Sequence, residues 1–268
     1  MLQEVMTAPG VIEFQDVAIP EIKEDQVLVK MMRLGICGSD IHVYHGKHPY
    51  TKYPVTQGHE VSGQIVKVGS AVTSLSAGQK VVLEPQVTCG KCYPCTHGKY
   101  NLCNELKVMG FQTTGAASEY FAVDASKVDV IGCGPIGLLL AQSCKALGAA
   151  KVLITDVSDY RLELARSLGA DYAINTARVS YADAIEQVFG PDKADVIYEC
   201  AGNNATMDMA IQNSRKGAKI ILVAVFADWA KVDLARLNDS ELTLDTAMMY
   251  RHEDYVDALR IVAEGKVQ

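Results

Sequence analysis

The chain reads as an α/β protein with a β-rich first part and a doubly wound parallel sheet in its second. Three observations predict this. Before residue 128, short β-type runs are separated by turn residues, and no long helical period appears. After it, strand-like runs alternate with helical ones, the pattern of a parallel sheet covered on both faces. A glycine-rich turn stands where the two styles meet, at Gly132-Cys133-Gly134-Pro135-Ile136-Gly137. The implied domains are residues 1–127 and 128–268.

In the first domain the runs are Gln26 to Met31, Gln64 to Val68 and Lys80 to Leu83, punctuated by Gly69-Ser70 and Ala77-Gly78. In the second, Val128 to Ile131, Lys151 to Thr155, Asp195 to Tyr198 and Lys219 to Val225 are the expected strands. A helix is predicted from Ser158, which can cap its start, to Leu168, with Gly169 as the left-handed residue past its end. The last helix begins near Glu253. There Tyr255, Ala258, Leu259 and Val262 fall at i, i+3, i+4 and i+7, and Gly265 is the stop.

Composition narrows the function classes. The 268 residues are 49% hydrophobic and 21% charged, the profile of a folded globular protein. A net charge of −7 and the lack of any lysine or arginine run argue against nucleic acid or an anionic membrane as partner. The start, Met1-Leu2-Gln3-Glu4-Val5, carries no basic segment followed by an apolar one, and no apolar stretch approaches the ~20 residues of a membrane helix. The expected location is the cytoplasm.

Of eight cysteines, four crowd together as Cys89-x2-Cys92-x2-Cys95-x7-Cys103. Four thiolates on a short loop can close a tetrahedron around Zn²⁺, and Gly90, Pro94 and Gly98 supply the turns this needs. With no position left open, such a zinc is structural. Reduced or disulfide-bonded cysteines without metal are the alternative on spacing.

A second constellation is looser: Gly35-Ile36-Cys37-Gly38-Ser39-Asp40-Ile41-His42, then Gly58-His59-Glu60. A thiolate, an imidazole and a carboxylate offer three ligands to a zinc that keeps one position free, where it acts as a Lewis acid on an alcohol. On spacing alone the bland reading is the commoner one, with Cys37 a small buried side chain and His59 a hydrogen-bonded core residue.

The glycine turn follows an apolar run and opens a helix-like segment, as a dinucleotide site requires. Gly132 allows the turn, Gly134 lets pyrophosphate approach the backbone, and Gly137 lets helix and strand pack closely, with Pro135 and Ile136 between. The pyrophosphate would face the helix N-terminus. Asp156 closes the next strand, where a carboxylate binds the adenosine ribose hydroxyls and favours NAD over NADP. Arg161, five residues on, weakens that preference. A glycine turn in a nucleotide-free α/β fold is the alternative.

Taken in order, Gly35 to Asp40, Gly58-His59-Glu60, the run from Cys89 through Gly98-Lys99-Tyr100-Asn101-Leu102-Cys103, and the glycine turn resemble the zinc-containing medium-chain dehydrogenases. Glu84-Pro85 and the cysteine run are most similar to the sorbitol/polyol branch, with the threonine dehydrogenases beside it. The resemblance implies a GroES-like catalytic domain and a Rossmann NAD-binding domain. It implies that Cys37, His59 and Glu60 hold a catalytic zinc, that Ser39 starts a proton relay, and that His42 and Tyr44 lie near the substrate. It also implies a small alcohol or polyol as substrate and a homodimer or homotetramer.

The sequence also departs from that family. Some tens of residues that relatives carry between the equivalents of Lys127 and Val130 are missing, and relatives continue past Gln268. A true internal deletion would expose apolar surface, so the preferred reading is a sequence joined around segments it omits. Three activities follow as expectations: polyol or secondary-alcohol oxidation by NAD, oxidation of the threonine hydroxyl, or zinc and nucleotide binding without turnover.

Overall fold

The computed structural model describes residues 1–125, 128–129, 136–226 and 229–268. Gly132, Gly134 and Pro135, with the end of the expected strand at Val130 and Ile131, lie outside the described residues. The chain divides into two compact units, Met1–Cys133 with Tyr250–Leu259, and Gly134–Met249 with Arg260–Gln268.

The first unit is antiparallel. Strands β1 (Leu2–Ala8) and β2 (Val11–Asp16) form a hairpin. Strand β3 (Gln26–Leu34) is followed by helix α1 (Gly38–Tyr44), β4 (Val61–Val68), β5 (Lys80–Leu83), β6 (Gln86–Val87), helix α2 (Tyr93–Thr96), β7 (Lys107–Val108), β8 (Tyr120–Asp124) and β9 (Val128–Asp129). Five of these strands make one sheet in the order β8-β3-β4-β5-β9. Alternate residues point inward, as a two-residue period dictates: Val27 and Val29, Val61 and Ile65, Val81 and Leu83, Phe121 and Val123 form one buried cluster.

Of the run Val128 to Ile131, expected as a strand of the parallel sheet, Val128 and Asp129 are described and belong elsewhere. Val128 and Asp129 pair antiparallel with Leu83 and Val82 in the first unit. The reason is length. Three residues separate β8 from β9, whereas a crossover to a parallel neighbour needs about a dozen. The short link also bends the sheet. A flat sheet would hold β8 and β9 four strand spacings apart, about 19 Å, while four Cα–Cα steps reach ~14 Å. The sheet therefore curls toward closure.

The second unit holds α3 (Ile136–Ala146), β10 (Leu153–Asp156), α4 (Asp159–Ser167), β11 (Tyr172–Asn175), α5 (Tyr181–Phe189), β12 (Val196–Glu199), α6 (Asn204–Asn213), β13 (Lys219–Leu222), α7 (Leu234–Asp239) and β14 (Thr243–Thr246). The pairings among the described residues of this unit are parallel: β10 with β11, and β13 with both β12 and β14. A core of Ile185, Ile197, Met207, Ile211 and Ile220 packs the helices on the three-stranded sheet. Ser158 is the N-cap of α4, but its side chain caps nothing; instead its N–H is taken by Asp156. Helix α8 (His252–Ala263) begins one residue before the expected start. Tyr255, Leu259 and Val262 of the predicted stripe are half-buried, but Ala258 is exposed and Ile261 is the buried residue.

Candidate active site and metal centres

The register of β3 and β4 builds the first site. Leu34 pairs with Val61, so the loop between them must start and finish at the same place. It starts with Gly35, whose N–H donates to the Glu60 carbonyl at 2.7 Å, and it carries Cys37 near one end and His59-Glu60 at the other. Residues far apart in sequence thereby meet. One donor atom each from Cys37, His59 and Glu60 lies within 4.8 Å of the other two.

Two glycines permit this closeness. A Cβ on Gly35 would stand 2.6 Å from Glu60 Oε2. Gly58 has φ +97°, and a Cβ there would meet the Ala117 nitrogen at 2.8 Å.

Cys37 is the N-cap of α1, and its N–H donates to Asp40 Oδ2 at 2.8 Å, as in a capping box. Asp40 is buried and also accepts from Gln57 Nε2 at 3.2 Å. Its Oδ1 lies 3.4 Å from His59 Nδ1, an ion-pair contact longer than a well-formed hydrogen bond, and among the described residues no closer partner meets that nitrogen. The carboxylate thus turns the ring so that Nε2 remains for a metal. Asp40 was not singled out in the sequence; only its burial beside His59 marks it.

The Ser39 hydroxyl donates to Cys37 Sγ at 3.1 Å. A hydrogen bond with His59 pulls the Cys37 thiol below its usual range, with burial opposing and Ser39 assisting. Burial pushes the His59 imidazolium down, but Asp40 and Cys37 outweigh it and raise the group to about 9. The pair is therefore drawn toward thiolate beside a cation, and a dication can take the proton's place. His42 sits in the last turn of α1, half-buried, and Tyr44 packs edge-on against His45 at 5.3 Å. Neither joins the three-donor cluster.

Tyr250 and Tyr255, which stack edge-on at 4.7 Å, bring the start of α8 against this unit. Gln86 Nε2 donates to the Tyr250 carbonyl at 2.7 Å, and the Tyr255 hydroxyl donates to the Leu83 carbonyl at 3.3 Å. Burial raises the Tyr250 phenol far above its ordinary value, with the neighbouring phenol and the carboxylates of Glu84 and Glu60 adding to it. Tyr250 is a site neighbour that the sequence reading passed over, because it lies far along the chain from Glu60.

The second centre is the loop between β6 and β7. One sulfur each from Cys89, Cys92, Cys95 and Cys103 gathers within 4.8 Å. The Cys92 sulfur is 3.4 Å from that of Cys95 and 3.9 Å from that of Cys103. A tetrahedron of 2.3 Å zinc–sulfur bonds has edges of about 3.8 Å, so the quartet fits zinc. The N–H groups of Cys89 and Glu105 both donate to Cys103 Sγ at 3.3 Å. N–H groups of Asn104 and Cys95 pull the Cys92 thiol down to about 6, while burial and the neighbouring thiols push Cys95 up to about 12. Four thiolates cannot share this space without a cation among them.

In the second unit Asp156 ends β10, its Oδ1 accepting from the Ser158 N–H at 2.8 Å and its Oδ2 lying 3.4 Å from Arg161. Ile136 and Gly137 begin α3. At the carboxyl ends of β12 and β13, where open α/β sheets bind ligands, Glu199 joins two loops. Its buried carboxylate accepts from the N–H groups of Ala201 and Gly202 and from the Thr206 hydroxyl, and its carbonyl accepts from Val223 and Ala224.

The family model described as "Alcohol dehydrogenase GroES-like domain" matches residues 23–131, and that described as "Zinc-binding dehydrogenase" matches residues 135–264. Sorbitol dehydrogenase of Bacillus subtilis is 32% identical over 309 aligned positions, covering 100% of this chain and 87% of the relative. Because those positions outnumber the 268 residues of the chain, the relative carries segments with no counterpart here. L-threonine 3-dehydrogenase of Symbiobacterium thermophilum is also 32% identical, over 87% of this chain and 77% of its own. Among solved structures, a protein of Sinorhizobium meliloti described as a zinc-binding dehydrogenase and bound to NADP superposes with a TM-score of 0.92. Its identity is 26%, over 100% of this chain and 89% of that one. Among the described residues no helix is long and apolar enough to cross a membrane. Zinc and a nicotinamide dinucleotide are the cofactors of this architecture, GroES-like domain and Rossmann domain together. The chain is a member of the zinc-containing medium-chain alcohol dehydrogenase family.

Proposed function

We propose that this protein oxidises a secondary hydroxyl of a sorbitol- or xylitol-like polyol and passes the hydride to NAD⁺. The observation that carries the reading is the open set of three unlike donors, Cys37, His59 and Glu60, with the Ser39 hydroxyl on the Cys37 sulfur. In this reading the metal and substrate groups lie before residue 128 and the cofactor groups after it.

Zinc held by Cys37, His59 and Glu60 would supply Lewis acidity to the substrate oxygen, and NAD⁺ would accept the hydride. Cys37 serves as a thiolate because His59 and Ser39 both favour its anion. Asp40 fixes the His59 ring, and Gln57 fixes Asp40. Ser39 takes the hydroxyl proton of the substrate and hands it outward, with His42 on the same helix as the next acceptor. Phe111, buried and 4.8 Å from the His59 ring, keeps water from that side. The Cys89–Cys103 quartet holds a structural zinc.

On the cofactor side, Gly132, Gly134, Pro135, Ile136 and Gly137 would cradle the pyrophosphate. Asp156 would bind the ribose hydroxyls, and Arg161 would flank it. The carboxylate at Asp156 favours NAD over NADP by repelling a 2′-phosphate.

The test is reduction of NAD⁺ with a panel of polyols. Turnover should vanish with a chelator and in Cys37→Ser. Cofactor binding without hydride transfer to any alcohol would refute the reading. A second reading, oxidation of the threonine hydroxyl, is favoured by the equal identity of the threonine dehydrogenase relative. It requires threonine to outcompete every polyol.

A further inference from the structure

We propose that His48 is a specificity-determining residue that binds a second hydroxyl of the substrate, one carbon or more beyond the reacting centre. The proposal rests on the polyol reading above. His48 belongs to no metal cluster and to no motif used so far, yet it stands beside the catalytic donors. Its ring stacks on Phe111 with centroids 4.7 Å apart and planes inclined by 21°. Phe111 in turn packs against the His59 ring at 4.8 Å. The single ring of Phe111 therefore packs against both imidazoles. The fields of His42, Asp40 and His59 all reach His48, which places it on the same cluster as the donors.

Its hydrogen bonding is half used. The Thr51 hydroxyl lies 2.7 Å from Nδ1. Among the described residues nothing partners Nε2, and the ring is only half-buried. Thr51 thus fixes the ring orientation and occupies one nitrogen, leaving the other for a ligand. Burial pushes the imidazolium down, and His42 adds to this, which favours the neutral ring, able to exchange one hydrogen bond with a hydroxyl. Tyr50, edge-on to His48 at 6.2 Å and largely exposed, adds a further amphipathic wall. A polar edge on an aromatic floor matches a chain of alternating C–H and O–H groups. A simple secondary alcohol has nothing to offer it.

The experiment compares xylitol with 2-butanol in the zinc-loaded wild type, His48→Phe and His48→Gln. The Phe variant keeps a ring on Phe111 and removes the nitrogen; the Gln variant returns a hydrogen-bonding group. In His48→Phe, kcat/KM for xylitol should fall roughly five- to tenfold, through KM. That for 2-butanol should stay within twofold, with two zinc ions per chain and an unchanged Tm. His48→Gln should recover part of the xylitol loss. Xylitol titrated into the zinc–NADH complex, followed by NADH fluorescence, should show the same loss in His48→Phe. Equal losses on both alcohols, or none on xylitol, would overturn the role of His48 while leaving the polyol reading intact. A wild type that prefers 2-butanol to every polyol would overturn the reading itself before any variant is made.

Discussion

Asp40 Oδ1 lies 3.4 Å from His59 Nδ1, and the same carboxylate takes the N–H of Cys37. One buried acid thus aims two metal donors from opposite ends of a loop. Asp40→Asn should keep the fold but weaken catalytic zinc binding about 10- to 100-fold, the usual effect of losing an outer partner of a ligand histidine. Chelator competition with metal counting checks this, and an undiminished affinity would refute the positioning role of Asp40.

Cys92→Ser should lower the metal content from two zinc ions per chain to one, because a tetrahedral site loses a ligand it cannot replace. The catalytic centre uses none of the four cysteines, so its ion should remain. Mass spectrometry under native conditions reads the count directly. Retention of two ions would show that the quartet is not a zinc site.

Gly58→Ala sets a side chain at φ +97° and 2.8 Å from the Ala117 nitrogen, next to the His59 ligand. The cost should be about 1–3 kcal/mol, seen as a lower midpoint in urea. Because backbone must shift at residue 58, catalytic zinc should also be held less tightly. A variant as stable as the wild type would contradict the strain.

Asp156→Ser removes the carboxylate that faces Arg161 at 3.4 Å. The preference for NAD over NADP should fall at least tenfold, since the arginine becomes free to pair with a 2′-phosphate. The ratio of kcat/KM for the two cofactors is the measurement, and an unmoved ratio would place the ribose elsewhere.

Asp171 is held below the usual carboxylate range: burial opposes this, but Lys145 at 2.9 Å and the Val152 N–H outweigh it. A depressed folded value stabilises the protein above the unfolded value near 4 and is lost as pH falls through the folded one. Asp171→Asn should therefore be roughly 0.5–1 kcal/mol less stable at pH 7, a modest figure because water screens the pair. The gap should close as pH falls through the depressed folded value. Urea midpoints across pH test it.

The cysteine quartet was legible in the sequence because all four ligands sit on one loop, where spacing and geometry are nearly the same thing. The three-donor site was named only through the family resemblance, because spacing alone favoured the bland reading. Cys37 and His59 lie 22 positions apart, and what joins them is the pairing of Leu34 with Val61, a property of sheet register that motif spacing does not encode. Asp40, Gln57 and His48 escaped notice for the same reason: their roles come from neighbours supplied by other elements. Lys80–Leu83 was read to the residue, whereas the runs Gln26 to Met31 and Gln64 to Val68 fell three residues short of the strands Gln26–Leu34 and Val61–Val68. Val128–Asp129 was misassigned because an apolar run before a glycine turn looks like a parallel strand, while the brevity of the link from Asp124 decides its partner.

The lobe between β6 and β7 is closed at its base by a ladder of two residue pairs, and three of its four cysteines are not buried. Such a segment has almost no apolar interior to fall back on once its ion is gone. Under zinc starvation it should open while the curled sheet beneath stays folded, presenting Lys91 and Lys99 to a trypsin-like protease. Nutrient supply would then govern how long the polypeptide survives in the cell.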